Sequence, residues 1–260
     1  TKSYKVIVVT SAMSGVTNEL VRKSKEISNN FIAEEYDVLI SAGEQMSCSL
    51  ISGRLNHLGY KSRSWLGWQV PIFTKGNHAS ARIKNIYKKN IIKYLKSGGI
   101  PIIAGFQGIN SSSRVTTIGR GGTDASAIML ARFFKAEKCI IYTDVDGVYT
   151  TDPNTIRKAK KIKKISYEEM LEMSSTGAKV LQTRSVELAM KNNLVLQVLS
   201  SLTNKKGTLI VNESKLIEKE VVSGVSYSKN ESKITISGVP DKPGISAIIF
   251  GTLSKNNINV

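Results

Sequence analysis

The 260-residue sequence has only two cysteines, two histidines and five prolines, and these scarcities exclude several classes of protein. Cys48 and Cys139 are too few and too far apart for a disulfide scaffold, and they fit a reducing, cytoplasmic location. His57 and His78 give little support to histidine-bound zinc or to Ser-His-Asp hydrolysis. No apolar run approaches the roughly 18 residues that a membrane helix needs, so we expect no membrane partner.

Acidic residues are also scarce relative to basic ones, 20 against 37, which leaves a net charge of +17. Such a charge makes nucleic acid, acidic lipid and phosphorylated small molecules candidate partners. The lysines are spread over every predicted element, however, which favours compositional bias over a dedicated binding patch. The densest basic run, RKAKKIKK at 157–164, contains no aromatic residue that could stack on a base. We therefore expect no specific nucleic-acid partner.

Apolar runs alternate with helical patterns, which predicts an α/β fold with a mostly parallel sheet sandwiched by helices. The predicted strands span 6–10, 62–66, 100–105, 138–143, 194–199 and 208–211. The predicted helices span 18–28, 43–58, 80–96 and 123–134, with one opening at a capping box at 166–169 and another between 177 and 193.

The C-terminal part of the sequence predicts a separate, smaller unit. The polar stretch 212–220 has the composition of a linker between a larger domain, 1–211, and residues 221–260. In that last stretch we expect a strand at 234–239, a turn at 241–244 and a helix at 246–256. This α+β pattern stops where another strand would begin, so the unit is expected to be incomplete.

Polar segments that follow strands or open helices mark the candidate ligand site of such a sheet. The segment TSAMSGVTNEL, 10–20, offers the hydroxyls of Ser11 and Thr17. The segment SAGEQMS, 41–47, is expected to open a helix with Glu44 in its first turn. There Glu44 either simply suits the helix dipole or receives an ammonium group.

The segment TTIGRGGTDASAIMLA, 116–131, is the most informative. Its glycines permit unusual backbone angles around Arg120, whose planar guanidinium matches a carboxylate or phosphate. Thr123 and Asp124 then open a helix whose free N–H groups suit an anion. A fourth segment, YTDVDGVYTTDP at 142–153, lacks the later ligands of an EF-hand. It forms polar turns or, alternatively, holds a nucleotide base, a ribose or Mg²⁺.

Taken in order, these segments resemble the aspartate kinases of the amino acid kinase superfamily. The motifs that carry the resemblance are SAGEQ, GFQG, GRGGTD, TDVDGVYTTDP and TGAKV, and SGVPDKPGISAIIFGTLSKNNINV is similar to the opening of an ACT regulatory domain. Together they cover nearly the whole chain. The resemblance implies an amino acid kinase-like fold and phosphoryl transfer from MgATP to the β-carboxylate of L-aspartate. The product would be 4-phospho-L-aspartate, the first intermediate of lysine, threonine and methionine biosynthesis.

The resemblance also implies a role for each matching residue. Arg120 and Asp124 are the implied catalytic residues, Arg120 clamping a carboxylate and Asp124 organising the transfer site. The implied substrate-binding residues are Thr17, Glu44, Arg120, Gly121, Gly122 and Thr123. The implied nucleotide-binding residues are Ser11, Thr143, Asp144, Tyr149, Thr150, Thr151, Asp152, Pro153 and Lys179. ATP and Mg²⁺ are the implied cofactors, with no metal site of the protein's own. A homo-oligomer and a lysine or threonine effector at the ACT-like unit are implied as well.

The sequence departs from the family pattern at three places. The Lys-Phe-Gly-Gly-Thr-Ser turn of the family does not occur, Asn154 stands where many members have arginine, and the ACT-like unit stops at Val260. We therefore expect the chain alone to be inactive and marginally stable or prone to associate. A non-catalytic remnant or a partner of a complete kinase remains an alternative, as does, less favoured, a nucleic-acid-binding protein. A glutamate 5-kinase or uridylate kinase would share the sheet but not the ACT-like segment.

Overall fold

Alternating strands and helices follow the alternation of apolar runs and amphipathic segments. In a computed structural model of the chain, the strands are β1 (Val8–Thr10), β2 (Ser62–Trp65), β3 (Ile72–Lys75), β4 (Arg82–Ile86), β5 (Ile100–Ala104), β6 (Gln107–Ile109), β7 (Val115–Thr117), β8 (Cys139–Thr143), β9 (Lys164–Ser166), β10 (Leu196–Ser200) and β11 (Thr208–Val211). The helices are α1 (Val16–Ile27), α2 (Ala33–His57), α3 (Lys89–Lys96), α4 (Gly122–Phe133), α5 (Tyr167–Ser175), α6 (Thr183–Lys191) and α7 (Ile245–Lys255).

The structure describes residues 4–178, 180–215, 224–227, 235–240 and 242–255. The chain divides into two units, Thr1–Tyr227 and Ser228–Val260. The linker predicted at 212–220 precedes this division. It begins with a short 3₁₀ turn at Glu213–Lys215 and otherwise lies mostly outside the described residues.

Three sheets form within the described part of the larger unit. One is wholly parallel, in the order β1-β5-β2. A second has the order β8-β10-β11-β9, with an antiparallel pair only between β10 and β11. The predicted α/β class with mostly parallel pairing is therefore confirmed. A third, four-stranded mixed sheet has the order β4-β3-β6-β7, and the sequence patterns did not predict it.

Helix α4 joins the core of the β1-β5-β2 sheet to that of the β8-β10-β11-β9 sheet. Its Ile128 is fully buried in a cluster with Ile141 of β8, whereas Leu130 of the same helix packs in a cluster with Ile103 of β5. Burying each of these side chains contributes about 1.5–3 kcal/mol to stability. Helix α4 is thereby anchored to both sheets.

The prediction of a helix over 80–96 is wrong for the first half of that range. Strand β4 occupies Arg82–Ile86, and the helix begins only at Lys89. Ile83 and Ile86 lie three residues apart, as on one face of a helix. In the structure the pairing of β3 with β4 shifts register between Phe73 and Thr74, which leaves an extra residue between Ile83 and Ile86. This β-bulge turns both isoleucines to one face, so a bulged strand mimics the helical spacing.

The helix predicted to begin at Gly43 begins ten residues earlier, at Ala33. Glu44 therefore lies in the middle of α2, and the proposed stabilisation by the helix dipole at the first turn is wrong. Glycine is needed at position 43 because any other residue would place its Cβ 2.8 Å from the Cβ of Ala12. The glycine marks a close approach between α2 and the end of β1, not a helix start.

In the smaller unit, the predicted helix is confirmed as α7, Ile245–Lys255, preceded by a turn with Gly244 at φ 95°. The strand expected at 234–239 is not formed by residues 235–239, and Ile234 and Asp241 lie outside the described residues. The ACT-like fold of this unit stays a prediction. Among the described helices, none has the length and apolarity required to cross a membrane.

Candidate functional site

The carboxyl ends of β1 and β5 meet the first turn of α4. The N–H of Gly105, which follows β5, donates a hydrogen bond of 3.1 Å to the carbonyl of Thr10 at the end of β1. A Cβ at Gly105 would lie 2.7 Å from the Cγ2 of Thr123. The glycine of the GFQG motif therefore lets three elements approach closely, at the sheet edge where ligands bind in α/β folds.

Glu44 reaches this same place from α2. Its Oε1 accepts a hydrogen bond of 3.2 Å from the N–H of Ala12, just beyond β1. Its side chain is buried, and Oε2 has no hydrogen-bond partner within the described part of the chain. Burial raises the pKa of Glu44 to about 7, although the Ala12 N–H favours the ionised form. A carboxyl so poorly solvated is suited to a cationic ligand, which would ionise it and occupy the unpaired oxygen.

The loop that carries Arg120 is closely confined by its neighbours. Gly119 and Gly121 both have positive φ, 81° and 65°. A Cβ at Gly119 would lie 3.0 Å from the carbonyl oxygen of Ala79, and one at Gly121 would lie 2.7 Å from the Cγ of Gln182. Arg120 between them is exposed. The glycines are therefore required both for backbone conformation and for space, and they hold the arginine out toward solvent.

The first turn of α4 presents free backbone donors. Gly121 is the N-cap, and the first intrahelical hydrogen bond runs from Ala125 to its carbonyl. The N–H groups of Gly122, Thr123 and Asp124 consequently precede that ladder and are available to an anion, which the helix dipole also favours. Burial raises the pKa of Asp124 above its ordinary value.

A groove of about 1110 Å³ runs from this turn between β1 and β8. Ser11, Thr123 and Asp124 line it, and apolar residues of α4 such as Leu130 form much of its wall. Strands β1 and β8 are each the last described strand of their sheet, so both present an edge to the groove. Ser11, predicted to bind the nucleotide, and Asp124, predicted to be catalytic, thus line one cavity.

The predicted nucleotide segment follows β8. Thr143 donates from Oγ1 to Oδ1 of Asp144 at 3.0 Å. A small polar pocket of about 350 Å³, lined by Tyr142 and residues 199–205, lies beside this turn, and the N–H of Ser201 donates to the Thr143 carbonyl at 2.8 Å. The carboxyl ends of β8 and β10 therefore border a second polar site.

Asp146 is the centre of this segment, although it was not among the predicted binding residues. The hydroxyl of Tyr149 donates to its Oδ1 at 2.6 Å, and the ammonium groups of Lys161 and Lys205 lie 3.4 and 3.5 Å from its Oδ2. The Tyr149 hydrogen bond and these lysines lower the pKa of Asp146. The D-x-D spacing of Asp144 and Asp146 was the available sequence signal, but it did not show which of the two aspartates is the more closely contacted.

The remaining predicted nucleotide residues form the loop beyond Tyr149. Thr150 pairs with Lys160, since its N–H donates to the Lys160 carbonyl at 2.9 Å and its Oγ1 accepts from the Lys160 N–H at 3.0 Å. Asp152 accepts from the N–H of Asn154 at 2.9 Å and so closes a turn that includes Pro153. Thr151 lies between these two structures, and Lys179 lies outside the described residues.

The structure brings most of the predicted substrate residues together. Glu44 and Thr123 lie at the ends of β1 and β5, and Gly121 and Gly122 directly precede Thr123 in the chain. Thr17 lies in the first turn of α1, directly after Val16, whose Cγ1 would be 3.3 Å from a Cβ at Gly43. Gly15, rather than Thr17, is the N-cap of α1. Among the described residues, no group of three or more His, Cys, Asp or Glu side chains is arranged to hold a metal ion.

Comparison with known proteins shows the family to which the chain belongs. The model of the amino acid kinase family matches residues 1–200. The aspartate kinase of Pseudomonas putida is 46% identical over 256 residues, which are 98% of this chain and 62% of that protein. The chain thus spans about three fifths of the length of the curated relatives it matches.

Solved structures have the same fold. The crystal structure of aspartate kinase from Synechocystis is 41% identical, with a TM-score of 0.70 over 80% of this chain and 34% of that one. The crystal structure of E. coli aspartokinase III in complex with lysine and aspartate has a TM-score of 0.76 at 24% identity. That match covers 96% of this chain and 68% of the other, and it shows likeness of fold alone.

Proposed function

The chain belongs to the amino acid kinase family, and from that premise we propose that it carries the catalytic domain of an aspartate kinase. Its reaction is phosphoryl transfer from MgATP to the β-carboxylate of L-aspartate. The observation that carries the proposal is the buried Glu44 carboxyl with its unpaired Oε2. It lies beside Ala12 at the end of β1, where Gly105 contacts Thr123 in the first turn of α4, and Arg120 directly precedes that turn in the chain. An amino acid with a second carboxylate offers complementary groups to all three.

Each of these groups has a separate part in binding aspartate. Glu44 receives the α-ammonium, which ionises the carboxyl in spite of its burial. Arg120 binds a carboxylate through two parallel hydrogen bonds, a geometry that lysine does not reproduce. Thr123 and Thr17 offer hydroxyl hydrogen bonds. Together they fix the β-carboxylate relative to the first turn of α4.

The chemistry itself requires little of the protein beyond positioning and charge neutralisation. The attacking β-carboxylate is ionised at neutral pH, so no general base is needed. The N–H groups of Gly122, Thr123 and Asp124 stabilise negative charge that develops on the transferring phosphoryl group. Asp124 orients groups at the transfer site and is not a nucleophile.

The segment after β8 is the proposed nucleotide site. Thr143, Asp144 and Tyr149 contact ATP, and Lys179 supplies positive charge to its phosphates. Mg²⁺ enters as the MgATP complex. Magnesium is typically held by one or two carboxylates together with substrate phosphates, and exposed Asp144 fits that donor set without a metal cage.

We extend the proposal to regulation. Residues 221–260, beyond a linker at 212–220, are the beginning of an ACT-like unit that binds lysine or threonine, and the protein is a homo-oligomer. The sequence likeness of this segment supports the assignment, as does the E. coli fold relative crystallised with lysine. Lysine and threonine inhibition curves on the purified protein, with its mass in solution, test this part.

A binding and turnover experiment tests the main proposal. We expect calorimetry to detect L-aspartate, with proton release that rises as pH falls below 7 because Glu44 ionises on binding. Hydroxylamine trapping should detect an acyl phosphate formed from aspartate and ATP. L-Glutamate and UMP are matched controls for the neighbouring kinase classes. Preferential phosphorylation of either control would contradict the proposal, and aspartate binding without any turnover would favour the non-catalytic partner.

A further inference from the structure

A fully buried carboxylate, Asp37 of α2, lies outside the set of residues assigned to binding or transfer. Four donor groups from three residues converge on it. Nδ1 of His78 lies 2.7 Å from its Oδ2, the N–H of Ala79 lies 3.0 and 3.1 Å from its two oxygens, and the N–H of Thr117 donates to Oδ2 at 2.9 Å. The hydroxyl of Thr117 donates to Oδ1. The two oxygens therefore serve only as acceptors.

These donors belong to the two segments that enclose the Arg120 loop. Thr117 is the last residue of β7, three positions before Arg120. Ala79 belongs to the opposite segment, and its carbonyl oxygen is the atom that a Cβ at Gly119 would meet. The N–H of Ala81 also donates to the Thr117 carbonyl at 3.0 Å. A single carboxylate thus holds both sides of the loop.

The conformation of Ala79 shows that this connection constrains the backbone. Ala79 has φ of 60°, in the left-handed region that a residue with a Cβ adopts only when its surroundings enforce it. Its N–H is shared between both oxygens of Asp37. From the far side, Arg184 of α6 donates to the carbonyls of Ile118 at 2.6 Å and Ala81 at 3.4 Å. Residues 117–119 are accordingly held between an anion and a cation.

We propose that Asp37 is a positioning residue for substrate recognition, which fixes the Arg120 loop through Thr117 and Ala79. The inference deepens the proposed function and rests on it. Asp37 contacts no substrate; it determines where the guanidinium of Arg120 is held. Because misplacement of a binding group by about 1 Å can cost up to a hundredfold, loosening this loop should weaken aspartate recognition specifically.

The test replaces the Asp37 carboxylate, which only accepts hydrogen bonds, by an amide, which both accepts and donates them. Asp37→Asn keeps the size of the side chain but turns an NH₂ group toward N–H and O–H donors. We expect the Kd and KM for aspartate to rise roughly tenfold, with MgATP affinity unchanged. Thr117→Val, which removes only the hydroxyl, should cause a smaller rise, and Thr117→Ser should restore recognition. This pair keeps the test available if Asp37→Asn does not fold.

The matched control is on the same helix. Asn56 makes three hydrogen bonds of 3.0 Å, to the carbonyls of Ser52 and Ser62 and from the N–H of Ser62, and so ties α2 to β2 instead of the loop. Asn56→Leu should lower the Tm but leave the aspartate Kd unchanged. An equal loss of aspartate affinity in this control would reduce Asp37 to a general stabilising role and overturn the proposal.

Two further measurements separate this inference from the proposed function. In an Arg120→Ala background, Asp37→Asn should cause no additional loss of aspartate affinity, because it acts through Arg120; additive losses would overturn the inference. Amide hydrogen exchange over 117–121 should accelerate in Asp37→Asn but not in Asn56→Leu. Unchanged exchange over 117–121 in Asp37→Asn would overturn the positioning role, whether or not the unmodified protein binds aspartate. Failure of the unmodified protein to bind aspartate would, by itself, contradict only the proposed function.

Discussion

The N–H of Ala12 and the carboxyl of Glu44 meet at 3.2 Å across 32 positions of sequence, and the other carboxyl oxygen remains buried without a partner among the described residues. The pairing satisfies half of a carboxyl that is 5% exposed. Leaving the other half unsatisfied destabilises the ionised form and prepares the site for a cation.

The first prediction concerns stability against pH. The folded-state pKa of Glu44 is about 7, against an ordinary 4.5, so the folded protein keeps a proton that the unfolded chain has released between these values. Stability from this group is therefore lost as pH rises from about 4.5 to 7. Glu44→Gln stays neutral, and denaturant titration should find it more stable than the parent by up to about 3 kcal/mol at pH 8 and equal near pH 4. Glu26→Gln, exposed on α1, is the control; equal pH profiles for parent and Glu44→Gln would contradict the burial argument.

The second prediction concerns recognition of the carboxylate. Arg120→Lys keeps the charge but loses the planar donor pair, which contributes roughly 1.5–3 kcal/mol. Steady-state kinetics of the active enzyme should show a KM for aspartate raised at least about tenfold, with the KM for MgATP little changed. Arg22→Lys, on the exposed face of α1, should leave both constants as they are. Unaltered aspartate kinetics in Arg120→Lys would remove Arg120 from the substrate site.

The third prediction concerns the nucleotide segment. Tyr149→Phe deletes the 2.6 Å hydrogen bond to Asp146, which is the largest cause of the lowered pKa of that carboxyl. We expect the KM for MgATP to rise roughly fivefold, the equivalent of about 1 kcal/mol, while the KM for aspartate stays constant. Tyr60→Phe is a matched control at an exposed position. If Tyr149→Phe changed only the KM for aspartate, the segment after β8 would not be the nucleotide site.

The fourth prediction concerns the net charge of +17. If this charge is a compositional bias, binding to DNA or RNA should be independent of sequence and should fade steeply between about 50 and 200 mM salt. Fluorescence anisotropy with several oligonucleotides measures both properties. A complex selective for one sequence that persists at physiological salt would be inconsistent with a small-molecule kinase alone.

The fifth prediction concerns the edges of β1 and β8 at the groove. Unpaired strand edges beside apolar surface promote association between chains. Light scattering should therefore detect concentration-dependent association of the 260-residue chain. Ile140→Lys, on β8, should reduce association, whereas Leu50→Lys, on the exposed side of α2, should not. If both substitutions changed association equally, the surface through which the chains associate would not be the edge of β8.

Local patterns predicted the elements whose cause is local. The capping box is an example: the N–H of Glu169 donates to Oγ of Ser166 at 3.1 Å, and the Ser166 N–H donates back to the glutamate at 2.9 Å. Strand β11 was likewise predicted with its observed bounds, because its apolar run is continuous. Motif order was enough to predict the family, whereas the roles of the site residues stay predictions.

The errors arose where distant parts of the chain decide the outcome. The bulge in β4 depends on its pairing with β3, and the tolerance of Gly43 within α2 depends on Ala12. Asp37 and Asp146 were not predicted as site residues because their importance comes from partners that are up to 80 positions away in sequence. No local spacing contains that information.

The anchoring of α4 in both cores has a thermodynamic consequence. One sheet borders the proposed aspartate site, and the other ends at the proposed nucleotide segment. Because Ile128 and Leu130 pack α4 into both cores, a shift of one sheet relative to the other would also move the helix that begins with Thr123 and Asp124. The first substrate to bind orders the first turn of α4. The second substrate then binds with a smaller loss of conformational entropy. Under the proposed function, we therefore expect cooperative binding of the two substrates. Linkage requires the factor to be reciprocal, so ATP should strengthen aspartate binding by as much as aspartate strengthens ATP binding.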